Sequence, residues 1–196
     1  MVSVTAPRLP DAPLSDAQLL ARHLAGEPEA LADLFRRYRG LAYRVAHRLL
    51  GNEADALDAV QDGFVKVLTH LDGFEGRSSF KTWLLRVVTN AALDLGRQRG
   101  RREQHHRDET VPGDWELPGP VAEPGRELER ADLRRLLNDA LARLPEAQRR
   151  TFVLHVDGEL SYREVADVLE ISIGTVMSRL FYARQKLRAL LSERLP

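Results

Sequence analysis

The 196-residue sequence has no cysteine, which excludes disulfides, thiolate metal sites and thiol redox switches within the chain. It also lacks any apolar run near the roughly 18 residues needed to cross a bilayer. Its start, with Pro7, Pro10 and Asp11, carries no signal-peptide core. A cytoplasmic protein without membrane insertion is the expectation. Aromatic residues are scarce, at 6%, beside 43% hydrophobic and 30% charged residues, a composition that folds and that suits helices. Net charge is missing too, because 29 basic side chains balance 29 acidic ones.

A zero sum argues against a polyanionic partner only if the charges are mixed, and here they are segregated. Asp55, Asp58 and Asp62 form an acidic stripe, whereas Arg97, Arg99, Arg101 and Arg102 form a basic cluster. The stretch from Glu109 to Glu129 is acidic, and Arg179, Arg184, Lys186 and Arg188 load the last segment. A neutral total thus conceals two basic patches.

Proline and glycine crowd the stretch from Thr110 to Gly125, which forbids a continuous helix and leaves little to bury. The chain therefore reads as all-α, with two small helical domains, 14–107 and 128–196, joined by a flexible linker at 108–127 and preceded by a flexible tail at 1–13. In the first domain Leu31, Leu34, Phe35, Tyr38, Leu41, Ala42, Val45 and Leu49 recur at helical spacing until Gly51-Asn52. The next helix places Leu57, Val60, Phe64, Val67, Leu68 and Leu71 on one face, with Asp55, Asp58, Gln61 and Asp62 largely opposite; Gly63 weakens it by up to about 1 kcal/mol relative to alanine. A third helix buries Phe80, Trp83, Leu84, Val87, Ala91 and Leu95.

In the second domain Leu133, Leu136, Leu137, Ala140, Leu141 and Leu144 give one helix, and Pro145 is placed in the first turn of the next. Ser161 and Glu164 then form the S-x-x-E capping box, with Leu160 and Val165 able to close a hydrophobic staple. The helix they start is short, ending near Leu169, and Ser172 caps another after a tight turn. Two capped helices so joined, from Ser161 to Leu191, describe a helix-turn-helix.

In the last helix Val176, Leu180, Ala183 and Leu187 face inward. The outward arc carries Met177, Ser178, Phe181, Tyr182 and Gln185, candidate base readers in a major groove. Thr175 and Arg179 complete the candidate set, with Arg179, Arg184 and Lys186 placed for phosphates. The alternative is a plain surface helix with solvated charges, but adjacent exposed Phe181 and Tyr182 are wasteful there.

A second constellation mixes stacking surface, cations and amides, as single-stranded DNA requires: Phe74, Arg77, Ser78, Ser79, Phe80, Lys81, Trp83, Asn90 and Arg97. Phe80 and Trp83 also fit the apolar stripe of their helix, so core packing competes with DNA contact. The acidic stripe Asp55, Asp58, Gln61 and Asp62 lies on one helix without a histidine or glutamate to complete a metal shell, which favours a docking surface or plain solvation over a metal site. The His105-His106 pair sits in a basic stretch, and no nucleophile motif accompanies it. No metal, no cofactor and no enzymatic activity are expected.

The segments Asp55-Ala-Leu-Asp-Ala-Val-Gln-Asp-Gly-Phe64, Phe80-Lys-Thr-Trp-Leu-Leu-Arg-Val-Val-Thr-Asn90 and Gly174-Thr-Val-Met-Ser-Arg-Leu180 resemble, in order and spacing, the hallmark segments of bacterial extracytoplasmic-function (ECF) sigma factors of the sigma-70 family. The resemblance spans about Leu14 to Leu191. It implies an RNA polymerase initiation subunit that docks on the clamp helices of the largest core subunit through Asp55, Asp58, Gln61 and Asp62. It also implies contact with the flap region, capture of a flipped base of the -10 element by the loop Phe74 to Phe80 with Asn90 near that pocket, and reading of the -35 element by Met177, Ser178, Phe181 and Tyr182. An anti-sigma factor is a further partner the resemblance implies. Leu57 stands where the family often has an acid, and Met177 and Tyr182 where arginine is frequent, so bidentate guanine contacts cannot come from the last two positions. The competing reading is a helix-turn-helix regulator that does not join polymerase; its first half would sense a ligand or dimerise and would need no basic, aromatic single-strand surface.

Overall fold

The computed structural model describes residues 13–103, 133 and 135–192, with the side chains of 101–103 left aside. The tail at 1–12, the linker at 108–127, the His105-His106 pair and the side chains of Arg101 and Arg102 lie outside the described residues. Among the described residues all regular structure is helical: α1 (Asp16–Leu24), α2 (Pro28–Leu50), α3 (Glu53–His70), a 3-10 turn (Leu71–Gly73), α4 (Phe80–Glu103), α5 (135–142), α6 (Glu146–Val156), α7 (Tyr162–Leu169) and α8 (Ile173–Ser192). The all-α expectation is thereby met. The residues up to Arg37 and those from Tyr38 onward form separate compact units.

In the first unit Ser15 caps α1 through a complete capping box, its Oγ accepting from the Gln18 amide while Gln18 Oε1 accepts from the Ser15 amide. Arg37 ties α2 to this end by donating to Asp16 Oδ1 at 2.5 Å and to the Leu14 carbonyl at 2.6 Å. Ser15 and Gln18 repeat the S-x-x-E/Q pattern found at Ser161, and sequence reasoning overlooked it.

In the second unit α3 lies against α4 along a seam of small residues, Ala56, Ala59, Gly63 and Val67, all buried. This corrects the predicted face. Leu57 and Leu68, expected inside, are exposed, and Val65 is exposed beside them. The reason is the closeness of the helices. A Cβ on Gly63 would lie 2.7 Å from Val88 Cγ2 and 3.2 Å from Val88 Cα, so any side chain there forces the two helices to shift. Gly63 is therefore a packing requirement of the α3–α4 contact, not the simple weakness that helix propensity suggests. The seam also rotates α4: Leu84, Leu85, Val88, Ala91 and Ala92 are buried, while Trp83, Val87 and Leu95 are only half-buried.

Further along this unit, Leu154, Leu160, Val165, Val176 and Leu180 make the core of α6, α7 and α8, and Ala183 and Leu187 extend it onto Ala140, Leu141 and Leu144. Each fully buried leucine contributes about 2 kcal/mol of apolar burial. Pro145 takes the N-cap position of α6, one residue before the predicted place in its first turn. The capping box at α7 is complete, and α7 ends on Glu170 in the left-handed conformation at φ 54°, ψ 47°. That left-handed residue makes the sharp turn into α8.

Candidate nucleic-acid interface

The outward arc of α8 is the first surface. Ser172 Oγ accepts from the Thr175 amide at 3.0 Å and lies 2.8 Å from Thr175 Oγ1, so Thr175, a candidate base reader, is committed to starting the helix. Val176, Leu180, Ala183 and Leu187 are buried as predicted. This anchoring leaves Met177, Phe181 and Tyr182 at 55%, 63% and 54% exposure, an unusual outlay of apolar surface. The Phe181 and Tyr182 rings meet edge to face at 5.4 Å. Ser178 and Gln185 are exposed, whereas Arg179 is half-buried. Met177, Ser178, Phe181, Tyr182 and Gln185 line a shallow groove of about 790 Å³ to which α7 adds Tyr162. Sequence reasoning missed Tyr162, although its place directly after the Ser161 cap puts it at the exposed start of α7.

The loop from Gly73 to Ser79 and the outer face of α4 form the second surface. Phe74 stacks on Trp83 with ring centroids 4.9 Å apart and a 33° tilt, and both remain half-buried. Phe80 lies beneath them at 2% exposure, edge-on to both rings and 5.8 Å from the Tyr38 ring. Phe80 therefore belongs to the core and offers no open face to a base; it supports the pair above it. Ser79 Oγ accepts from the Thr82 amide at 3.1 Å and so caps α4, which removes it from the freely available hydrogen-bonding groups. Arg77 is exposed and pairs weakly with Glu75 at 3.2 Å, a surface pair worth little. Ser78 is half-buried at the edge of a groove of about 720 Å³ that also takes in Phe74, Trp83 and Arg86. Lys81 is not among the residues lining this groove, and its Nζ donates to the Glu159 carbonyl at 2.9 Å.

At about 100° per residue Trp83, Arg86, Asn90 and Arg97 fall on one side of α4. Asn90 and Arg97 are exposed there, Arg97 3.6 Å from Asp94. Arg86 is the residue the sequence reading missed. Its spacing of three from Trp83 and four from Asn90 was the available signal.

The acidic stripe divides. Asp58, Gln61 and Asp62 are exposed on α3 among Leu57, Val65 and Leu68, with Asp62 2.7 Å from Lys66. Asp55 is different. It is half-buried, accepts from Asn52 Nδ2 at 2.7 Å and from Arg99 Nη1 at 3.2 Å, and thereby clips the start of α3 to the end of α4. Its carboxylate is occupied inside the chain, and Arg99 is likewise drawn from the basic cluster into this clip.

A helix-turn-helix with an exposed aromatic face, together with a separate loop and helix carrying stacked aromatics and arginines, suits a helical DNA-binding protein. Sigma-70 region 2 matches residues 34–102, and Sigma-70, region 4 matches residues 134–187. The chain is 30% identical over 174 residues to the ECF RNA polymerase sigma factor SigW of Bacillus subtilis, covering 86% of this chain and 92% of that one. It is 35% identical over 162 residues to the ECF RNA polymerase sigma factor SigE of Mycolicibacterium smegmatis, covering 82% and 61%. Among solved structures, the sigma factor RpoE in complex with the anti-sigma factor NepR from Bartonella quintana matches with TM-score 0.65 and 26% identity over 83% of this chain and 99% of that one. CnrH in complex with the cytosolic domain of CnrY matches with TM-score 0.67 and 28% identity over 92% and 99%. The chain belongs to the extracytoplasmic-function sigma factors of the sigma-70 family.

Proposed function

We propose that this chain is a dissociable initiation subunit of RNA polymerase: it joins the core enzyme, places it at a promoter through the -35 and -10 elements, and promotes melting at the latter. The observation that carries this reading is the coexistence, in one member of the ECF family, of an outward aromatic face on α8 and the stacked Phe74–Trp83 pair beside arginines on α4. A regulator that stays off polymerase has a use for the first surface and none for the second. In this reading α8 meets the -35 duplex, with Met177, Phe181 and Tyr182 touching thymine methyls and sugars and the arginines holding phosphates. Phe74 and Trp83 offer a platform to a base leaving the stack, Asn90 reads its edge, and Arg77 and Arg97 hold the backbone. Capture of such a base offsets an unstacking cost of a few kcal/mol, so melting runs on binding energy, and the covalent chemistry stays with the polymerase.

Docking on the clamp helices of the largest core subunit falls to the exposed face of α3. There Leu57, Val65 and Leu68 supply apolar contact, and Asp58 and Asp62 supply charge for a basic partner. The helix-turn-helix domain is the candidate for the flap contact. An anti-sigma protein that covers these faces is a further proposed partner, and the cytoplasm, where polymerase works, is the proposed location. Among the described residues no helix is long and apolar enough to cross a membrane. The domain division at 14–107 and 128–196 is proposed as the division between the two promoter contacts.

The test is reconstitution of purified chain with core polymerase on a promoter library. Start-site-specific transcripts are the expected outcome, and absence of both transcript and core complex sinks the reading. Asp58→Lys with Asp62→Lys is expected to abolish core binding while α8 still binds duplex DNA.

A further inference from the structure

Every charged side chain on α8 is basic: Arg179, Arg184, Lys186 and Arg188 stand with no aspartate or glutamate between Ile173 and Ser192. Such a helix calls for a polyanion on its outer side, and duplex DNA is the polyanion that a helix-turn-helix fits. Along that side the apolar and basic groups are separated. Met177 and Phe181 are exposed in the first turns, with Tyr182 beside them. Arg184 and Arg188 line the same groove but, at roughly 1.5 Å per residue, lie about 10 and 16 Å further along the axis than Met177. The major groove is about 12 Å wide. The two arginines therefore suit its phosphate rims, and Met177 and Phe181 its floor. The hydrogen-bonding groups of those first turns are already engaged. Thr175 shares its hydroxyl with Ser172 at 2.8 Å. Ser178 donates its Oγ proton to the Thr175 carbonyl at 3.0 Å, which leaves its oxygen to accept.

Guanine presents only the acceptors N7 and O6 to the major groove, and these turns hold no free donor for them. Thymine presents a methyl group and the O4 acceptor; cytosine presents the N4 amino donor without a methyl. A cytosine methylated at C5 presents both, a methyl for Met177 and Phe181 and a donor for Ser178. We propose that α8 recognises the C5-methyl group of a pyrimidine, and that 5-methylcytosine serves it at least as well as thymine. Methylation of cytosine in a duplex that lacks the thymine thus makes that duplex a site. Use of the site by polymerase at the -35 element rests on the function proposed above; methyl recognition itself does not. Phe181 is steadied by the Tyr182 ring, edge to face at 5.4 Å. Tyr162 of α7 adds a wall to the groove, its ring braced edge-on by His155 at 4.9 Å. Losing one buried methyl weakens binding about fourfold, the equivalent of roughly 0.8 kcal/mol.

A duplex selected by the full chain from a randomised pool is resynthesised with a fluorescein end label and with deoxyuridine for each thymine in turn. The most sensitive position is then filled with cytosine or with 5-methylcytosine. Anisotropy at fixed salt, for the full chain and for its reconstituted complex with core polymerase, measures affinity. A loss of about fourfold with deoxyuridine, a loss at least as large with cytosine, and recovery to the thymine level or better with 5-methylcytosine are expected. Met177→Ala with Phe181→Ala is expected to bind all these forms alike. Both side chains are exposed, so the melting temperature of that variant stays at the parent's value and a lost contact is told from a lost fold. Met177→Arg places a guanidinium on the same arc and is expected to select a guanine. Equal affinity for thymine and deoxyuridine, 5-methylcytosine no better than cytosine, or no duplex binding in either state overturns methyl recognition. Methyl-dependent binding without promoter-directed transcription overturns the initiation function alone, and promoter-directed transcription that ignores the methyl group overturns methyl recognition alone.

Discussion

Replacing Gly63 by alanine sets helix propensity and tertiary packing against each other with opposite signs. On propensity alone alanine gains about 1 kcal/mol in the interior of α3. The added methyl, however, meets Val88 Cγ2 at 2.7 Å and Val88 Cα at 3.2 Å. The first atom sits on a fully buried valine and the second is backbone, so relief requires α3 and α4 to separate along the seam that Ala56, Ala59 and Val67 fill. Overpacking of this kind costs about 1–3 kcal/mol, and a forced backbone shift puts it at the upper end. The net expectation is destabilisation by about 1–2 kcal/mol, a melting temperature lower by roughly 5 °C for a chain of this size. Thermal and urea unfolding followed by circular dichroism measure it. Val88→Ala removes the nearer contact, so the Gly63→Ala/Val88→Ala pair is expected to show a favourable coupling of about 1 kcal/mol in a double-mutant cycle. An alanine variant as stable as the parent, or more so, would refute the packing argument and restore the propensity reading.

Glu170→Gly relieves a left-handed φ of 54° at the end of α7 and is expected to raise unfolding stability by about 1 kcal/mol; a melting temperature that falls contradicts the strain argument. Tyr182→Ala, at an exposed site that carries no core contact, is expected to change selection from a randomised -35 duplex pool while leaving the melting temperature within a degree or two. Burial by itself raises the Glu164 carboxyl, but hydrogen bonds from Ser161 and Thr82 and the nearby Lys81 charge outweigh it and hold the group below its ordinary 4.5. Because the folded-state pKa is depressed, the stability it contributes is present above pH 4.5 and is lost as pH falls through the lower folded value. A carbon-detected NMR titration of Glu164 is expected to show that depression and to show it lessened in Thr82→Val, and an unshifted Glu164 in the parent removes the hydrogen-bond argument.

What the sequence determined by itself is whatever depends on local rules. The capping box at Ser161, the inward row Val176, Leu180, Ala183 and Leu187, and the outward Met177, Phe181 and Tyr182 follow from periodicity and cap chemistry within a few turns of one helix, and the structure has them as read. Tertiary structure decided which of the candidate side chains are available. Hydrophobicity ranks Leu57 and Leu68 as core and Gly63 as a defect, but the approach of α4 to α3 admits only small residues and turns the leucines outward. Phe80 and Trp83 share one apolar stripe, and only their depth beneath the 73–79 loop separates the buried ring from the half-exposed one. Asp55 and Asp58 are alike in sequence, yet Arg99, 44 residues away, engages only the first. The polar contact of Thr82 with Glu164 spans 82 residues, and no local pattern announces it. Secondary structure and facing are set by neighbours along the chain; exposure and pairing are set by neighbours in space, and these decide what a partner can reach.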